Sequence, residues 1–268
     1  MNVRILAAST MVLSALPASA QQAVPTTQPA VINIVREIEK PGHFGAHYQT
    51  EVRWTALNRT NNFPATLLAL VATSGVPEVW WVASYTGMDA LGKTSAFGQD
   101  NPTYTAAVSK IAVEDGEHLT NTITTQLEAA RVASHGNFPD IRTQRVYEIL
   151  TVTTRAGNEA AFFDIAQRYA ALMNAKGVQA SWRSYQVVAG APGGTFMVFS
   201  SFTSWDAVEA QRKAMVSVFA ESNSADVQAL NKAIRDGIVS MNSRYFTVSP
   251  GMSLVPKEWL SDPFWGGK

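Results

Sequence analysis

One set of landmarks occurs twice along this chain, in the same order. Lys40-Pro41-Gly42-His43 is matched 115 residues on by Arg155-Ala156-Gly157-Asn158, and Pro77 by Pro192 at the same displacement. Ser84-Tyr85-Thr86-Gly87-Met88-Asp89-Ala90 is matched 117 residues on by Ser201-Phe202-Thr203-Ser204-Trp205-Asp206-Ala207. Ala112-Val113-Glu114-Asp115-Gly116 is matched at 121 by Ala233-Ile234-Arg235-Asp236-Gly237. A displacement that grows slowly is what small loop insertions leave in a tandem duplication. The constraint on the fold is severe, because whatever one half builds the other must build as well.

The unit is clearest in the second half. Val146 to Thr154 is rich in β-branched residues and reads as a strand. Gly157 and Asn158 form a turn, with Asn158 expected to cap the next helix. From Glu159 to Lys176 the apolar residues Phe162, Ile165, Ala166, Tyr169, Leu172 and Met173 fall on one helical face, and Gly177 supplies the C-cap. Ser181 to Ala189 and Thr195 to Phe202 read as strands joined by a Gly/Pro turn. Asp206 is expected to cap the helix that follows. Another helix is expected over Ala225 to Met241 and a short strand over Arg244 to Val248. The first half repeats the order with Val31 to Glu39, a helix from Phe44 to Asn58, strands Thr66 to Thr73 and Glu78 to Tyr85, and then helices. The pattern β-α-β-β-α-β is that of a ferredoxin-like unit, with helices on one sheet face and the other face bare. The expected fold is α+β: two tandem ferredoxin-like units, 31–140 and 141–250, whose bare sheet faces pack into an α/β barrel. Residues 21–30 read as a linker. Residues 251–268, with Trp259, Phe264 and Trp265, read as a tail packed on the body or on a neighbouring subunit, which keeps a homo-oligomer in view.

The strand, the Lys/Arg-x-Gly turn, the amphipathic helix and the Ser-aromatic-Thr-x-x-Asp-Ala element resemble the dimeric α/β-barrel superfamily. Its members include NIPSNAP-like, EthD-like and antibiotic-biosynthesis-monooxygenase-like proteins. The resemblance covers most of residues 31–250 and rests on architecture and turn pattern. It implies a barrel that serves cofactor-free oxygenases, haem enzymes and stress proteins alike, so function is not inherited from the fold. In the haem-binding, chlorite-dismutase-like branch the iron ligand is a histidine of the second unit. No histidine follows His135 here, so haem is not expected.

The first twenty residues read as an address. Arg4 supplies the positive n-region, Ile5 to Leu16 an uncharged h-region too short to span ~30 Å of bilayer, and Pro17-Ala18-Ser19-Ala20 a cleavage site. The expectation is a secreted or periplasmic protein cleaved after Ala20, without a membrane span. Lys plus Arg is 21 and Asp plus Glu is 21. That balance excludes a nucleic-acid binder, which needs surplus cations for phosphate. Cysteine is absent, which removes disulfides, thiolate catalysis and cysteine-bound metals.

Little conventional catalytic apparatus remains. There is no nucleophile elbow, phosphate-binding loop or dinucleotide turn. His43, His47 and Glu51 recur at i, i+4 and i+8, on one helical stripe. Such a stripe suits a metal or haem ligand set or a general base, and equally a solvent-facing helix end. In the repeat alignment His47 stands opposite Phe162, Glu51 opposite Ala166, Trp54 opposite Tyr169 and Asn58 opposite Met173, which places polar groups where the second half is apolar. Phe44, Tyr48 and Val52 form a rival inward stripe about 100° away. Aromatic side chains gather at Trp54, Trp80, Trp81, Tyr85, Trp182, Tyr185 and Trp205, and Phe196 is expected to add to the wall from the second half. One of the adjacent pair Trp80 and Trp81 must point into the barrel. The reading that follows is a protein holding a small apolar or aromatic ligand between the sheets, with Asn58 and these aromatics as its wall and no metal or cofactor. The alternative is a cofactor-free oxygenase- or isomerase-type enzyme with His47 or His43 as base and Glu51 beside it.

Overall fold

The structure, a computed structural model, describes residues 23–155, 157–220 and 224–267. The expected signal peptide and its cleavage point lie outside the described residues. The first half runs β1 (Val31–Glu39), α1 (Phe44–Thr60), β2 (Leu67–Ala72), β3 (Glu78–Tyr85), α2 (Met88–Asp100), α3 (Pro102–Gly116) and β4 (Leu119–Ala129). The second runs β5 (Val146–Thr154), α4 (Ala160–Ala175), β6 (Arg183–Ala189), β7 (Thr195–Phe202), α5 (Trp205–Phe219), α6 (Ala225–Gly237) and β8 (Ile238–Val248). A short α7 (Pro263–Gly266) ends the tail.

The eight strands form one closed antiparallel barrel in the order β1-β3-β2-β8-β5-β7-β6-β4. Within each half the strands pair in the same sequence, β4-β1-β3-β2 and β8-β5-β7-β6. The two sets join at β2–β8 and β4–β6. The correspondence extends to detail. β1 and β5 share one burial pattern, and each slips register near its end, between Ile38 and Glu39 and between Thr153 and Thr154. Gly42 and Gly157, and likewise Gly75 and Gly190, all sit at positive φ.

Strand alternation divides the side chains between two compartments. Ile32, Ile34, Leu70, Trp80, Tyr147, Ile149, Tyr185, Phe199 and Phe246 fill the barrel. Val35, Trp81, Val152 and Phe196 face the helices packed outside. At the β3 start, inside the barrel, the fully buried Glu78 carboxylate takes a bidentate contact from Arg36 and a further one from Arg244. Arg36 also lies 4.7 Å above the Trp80 ring.

Several local expectations need correction. α6 stops at Gly237, and the residues from Ile238 onward form an eleven-residue strand paired with β5. A Cβ at Gly237 would lie 2.5 Å from the Ala161 Cβ, so glycine marks the close crossing with α4, and β-branched Ile238 and Val239 then favour the strand. Ser204, not Asp206, caps α5, its Oγ accepting the Ala207 N–H at 3.2 Å. Asn158 offers α4 only its backbone carbonyl. Gly177 does end α4, at φ +67°, with the Val178 N–H donating to Met173 O at 3.0 Å. The described part of the 21–30 linker is packed: Val24 rests on the barrel core and Gln28 Nε2 donates to Ser184 O at 2.9 Å. The tail also packs on the body, with Trp265 Nε1 donating to Arg142 O at 3.0 Å and Arg145 stacked 3.8 Å from the Phe264 ring.

Closure at β4–β6 leaves no room for a side chain on Gly190, which has φ +86° and whose Cβ would lie 2.1 Å from Thr124 O. Gly190→Ala is expected to lower the unfolding free energy by about 2 kcal/mol or more. Gly193→Ala, in the same turn but with open space around it, should change it by less than about 0.5 kcal/mol. Denaturant titration of both variants measures the contrast.

Candidate functional site

α1 inverts the usual rule for a surface helix. Its buried residues are His47, Thr50, Glu51, Thr55 and Asn58, all polar. Phe44 is 46% exposed, and Tyr48 and Val52 only flank an apolar cluster, so the rival stripe is not the buried one. Each buried polar group must therefore find a partner. Thr55 Oγ1 donates to Met252 O at 2.7 Å, and Asn58 Oδ1 accepts the Tyr104 hydroxyl at 2.7 Å.

His47 is the centre of the arrangement and is 0% exposed. Its Nδ1 lies 2.8 Å from Glu39 Oε1 and its Nε2 lies 3.1 Å from Glu37 Oε2. Both glutamates come from the outward face of β1, where odd-numbered side chains meet α1. Asp115, at the end of α3, brings Oδ1 within 3.6 Å of Nε2, and Glu51 Oε1 stands 3.9 Å away. Trp81 on β3 donates its indole N–H to Glu37 Oε2 at 2.6 Å. Thr50 Oγ1 is 2.7 Å from both His47 O and Asp115 Oδ1. Its single proton serves one of them at a time. Glu51 Oε1 has no hydrogen-bond partner among the described residues.

The electrostatics follow from four carboxylates around one imidazole. Burial alone would push His47 down, but the hydrogen bonds to Glu37 and Glu39 and the charge of Asp115 outweigh it and raise the ring to about 10. Burial, reinforced by the charges of Glu37 and Asp115, holds Glu51 well above the usual carboxylate range. Burial raises Asp115 too, against the hydrogen bond from Thr50. Both ring nitrogens of His47 are thus engaged by carboxylates, and the ring is sealed from solvent. His43 is half-buried at the start of α1, its Nδ1 3.2 Å from His118 Nδ1, apart from the cluster.

A separate concave site lies inside the barrel, at the end where β1 and β5 begin. A cavity of about 90 Å3 is bordered by Leu68, Val82, Tyr147, Tyr185, Phe199 and Trp259, with Arg183 and residues 23–25 also on its lining. The Tyr147 hydroxyl is buried and has no partner among the described residues, and burial raises its pKa. The Tyr185 hydroxyl meets Gln28.

The sequence-derived wall is thus split by the sheet. Trp80 and Tyr185 point into the barrel. Trp81, Tyr85 and Phe196 face the helices, Trp54 and Asn58 sit on α1 near Tyr104, and Trp182 packs between His135 and Tyr169 while also bordering the cavity. Sequence reasoning found His47 and Glu51 but missed Glu37, Glu39 and Asp115. The signal was present in the period-two spacing of Val35, Glu37 and Glu39 on the helix-facing side of β1.

No protein-family profile matches this sequence, and no curated protein matches it. Solved structures do share its fold. An anthrone oxidase-like protein superposes with a TM-score of 0.55 at 14% identity, covering 84% of this chain and 94% of that one. A monooxygenase candidate from Fusobacterium nucleatum gives 0.51 at 9%, covering 82% and 93%. A variant chlorite dismutase from Candidatus Nitrospira defluvii gives 0.51 at 10%, covering 84% and 94%. At these identities the likeness is one of fold.

His47→Ala leaves its buried carboxylates without their counter-charge and is expected to cost about 3–5 kcal/mol. The cluster also makes a signed pH prediction. His47, Glu51 and Asp115 all hold protons more tightly folded than unfolded. Stability therefore falls as pH rises. The His47 contribution is complete below its unfolded value near 6.5 and is lost on the way to about 10. Thermal unfolding of chelator-treated protein from about pH 6 to about pH 9 should show a steadily falling midpoint; a rising one contradicts the assignment.

Proposed function

We propose that this chain is an oxygenase-type enzyme that binds a small, flat, mostly apolar molecule bearing one polar oxygen in the barrel cavity. The observation that carries this reading is the buried, unpartnered Tyr147 hydroxyl at the edge of a largely apolar cavity. A buried hydroxyl without a partner costs free energy, and a ligand oxygen would recover it. The monooxygenase and anthrone oxidase names of proteins with this fold support oxidation of an aromatic substrate by dioxygen as the reaction class. In such a reaction the Tyr147 O–H donates to the substrate oxygen and stabilises the negative charge that develops there as the substrate's acidic C–H proton passes to solvent, and the charge of Arg145 adds to that stabilisation. Neither His47 nor His43 takes part in this reading.

The same reading makes the chain a duplicated pair of ferredoxin-like units exported by its first twenty residues. The common strand order, the matched register slips and the paired positive-φ glycines of the two halves support the duplication.

Anthrone in air-saturated buffer is a direct probe, with oxygen uptake and anthraquinone formation as readouts. Tyr147→Phe is expected to lower turnover about tenfold, the worth of one buried hydrogen bond, with little change in fold. Binding of anthrone, read by tryptophan fluorescence, without oxygen uptake would reduce the protein to a ligand carrier. Absence of both would remove the cavity as the site.

A further inference from the structure

We propose that Glu37, His47, Glu51 and Asp115 form a binding site for one divalent first-row transition-metal ion, on the helix side of the sheet and separate from the barrel cavity. One potential ligand atom from each residue lies within 4.8 Å of all the others, and all four residues are buried. Ligand atoms about 2.0–2.2 Å from a central ion stand some 3–4 Å apart, so the contraction needed is small.

The cluster is more than a collection of acids. Glu51 is 3% exposed, and its Oε1 is aimed at His47 Nε2 from 3.9 Å without a hydrogen-bond partner. A buried carboxylate oxygen in that state is an acceptor waiting for a cation. The surrounding groups are also arranged as metal sites arrange theirs. A metal-bound histidine keeps its other ring nitrogen on a carboxylate, which fixes the ring and raises its basicity. Glu39 takes His47 Nδ1 in this way at 2.8 Å, which leaves Nε2 facing Glu37, Glu51 and Asp115. Trp81 N–H orients Glu37, and Thr50 orients Asp115. An ion at this point supplies positive charge to four buried carboxylates gathered around one imidazole. One imidazole with three carboxylates favours an ion of the manganese-to-zinc range over magnesium or calcium, which take all-oxygen sets. This goes beyond the sequence-level expectation of no metal.

The site is enclosed, so the test loads metal during folding. The full-length chain is unfolded with chelator and refolded with Zn2+, Mn2+, Mg2+ or Ca2+ in turn. It is then desalted, and metal per chain is counted. The expected result is one Zn2+ or Mn2+ per chain and neither Mg2+ nor Ca2+. Glu51→Gln should weaken binding tenfold or more, while its metal-free unfolding midpoint is not below that of metal-free wild type, since it removes a carboxylate that burial already disfavours. Glu39→Gln, which alters a positioning residue, should weaken binding as well yet retain one ion at high metal. Wild type that refolds without retaining Zn2+ or Mn2+, or Glu51→Gln that binds as tightly as wild type, overturns the proposal. Equal retention of Mg2+ or Ca2+ overturns the assigned class of ion. Anthrone oxidation plays no part in these readouts, so this site and the cavity stand or fall separately.

Discussion

Everything in this molecule depends on closure of the barrel at two seams. A four-stranded sheet from either half would leave unpaired backbone along both edges, a template for aggregation. Here β2 pairs with β8 from Leu70↔Val248 to Ala72↔Phe246, and β4 pairs with β6 from Gln126↔Ala189 to Ala129↔Tyr185. Both seams are short, and each joins one half to the other. Once they form, every strand has two neighbours, and the inside of the barrel becomes a compartment distinct from the layer beneath the helices. The tail strengthens the first seam, since Leu254 bridges to Leu67 on β2. A long aromatic tail therefore has a structural purpose even though it lies beyond the eight strands of the barrel.

Beneath the helices the two halves solve one packing problem in opposite ways. Where α4 meets β5, Phe162 stacks on Phe196 with centroids 4.0 Å apart and planes 11° from parallel, and Val152 and Ala166 complete an apolar cluster. At the corresponding places of α1 and β1 stand His47, Glu51 and Glu37. Asp115 is buried against Thr50, whereas its counterpart Asp236 is exposed and pairs with Lys232. Apolar packing would be the less costly choice, because replacing buried charges by well-packed apolar groups is often neutral or stabilising. Retaining five ionisable groups there makes sense if they hold something that apolar side chains cannot.

Most of the architecture was legible in the sequence because it rests on local signals: period-two strands, one amphipathic helix and glycines at turns. The exceptions came from tertiary contacts. The end of α6 is set by Gly237 meeting Ala161, a contact with α4 that residues 225–241 do not announce even though Ile238 and Val239 favour a strand. The site was half legible. His47 and Glu51 stood out because a stripe on one helix can be seen within one window. Glu37, Glu39 and Asp115 reach the same point from a strand and from a different helix, and their convergence is a product of the fold. The aromatic wall was misassigned for a related reason. Alternation says that Trp80 and Trp81 take opposite faces, but which of them enters the barrel depends on how the sheet curls.

Strand β1 belongs to both sites at once. Arg36 points into the barrel, against Glu78 and Trp80, while Glu37 points out to His47 and to the indole of Trp81. Trp80 and Trp81 are likewise adjacent on β3, one in each compartment. A backbone shift that moved Glu37 toward or away from the cluster would move Arg36 the opposite way relative to the interior, since neighbouring residues of a strand are rigidly coupled. Glu78 gives that coupling a discrete contact to act on, because its carboxylate is shared by Arg36 and Arg244 and Arg244 reaches across the β2–β8 seam to Ser74 O. A continuous chain of contacts thus runs from the outer cluster through β1 and the Glu78 ion triad to the seam that closes the barrel.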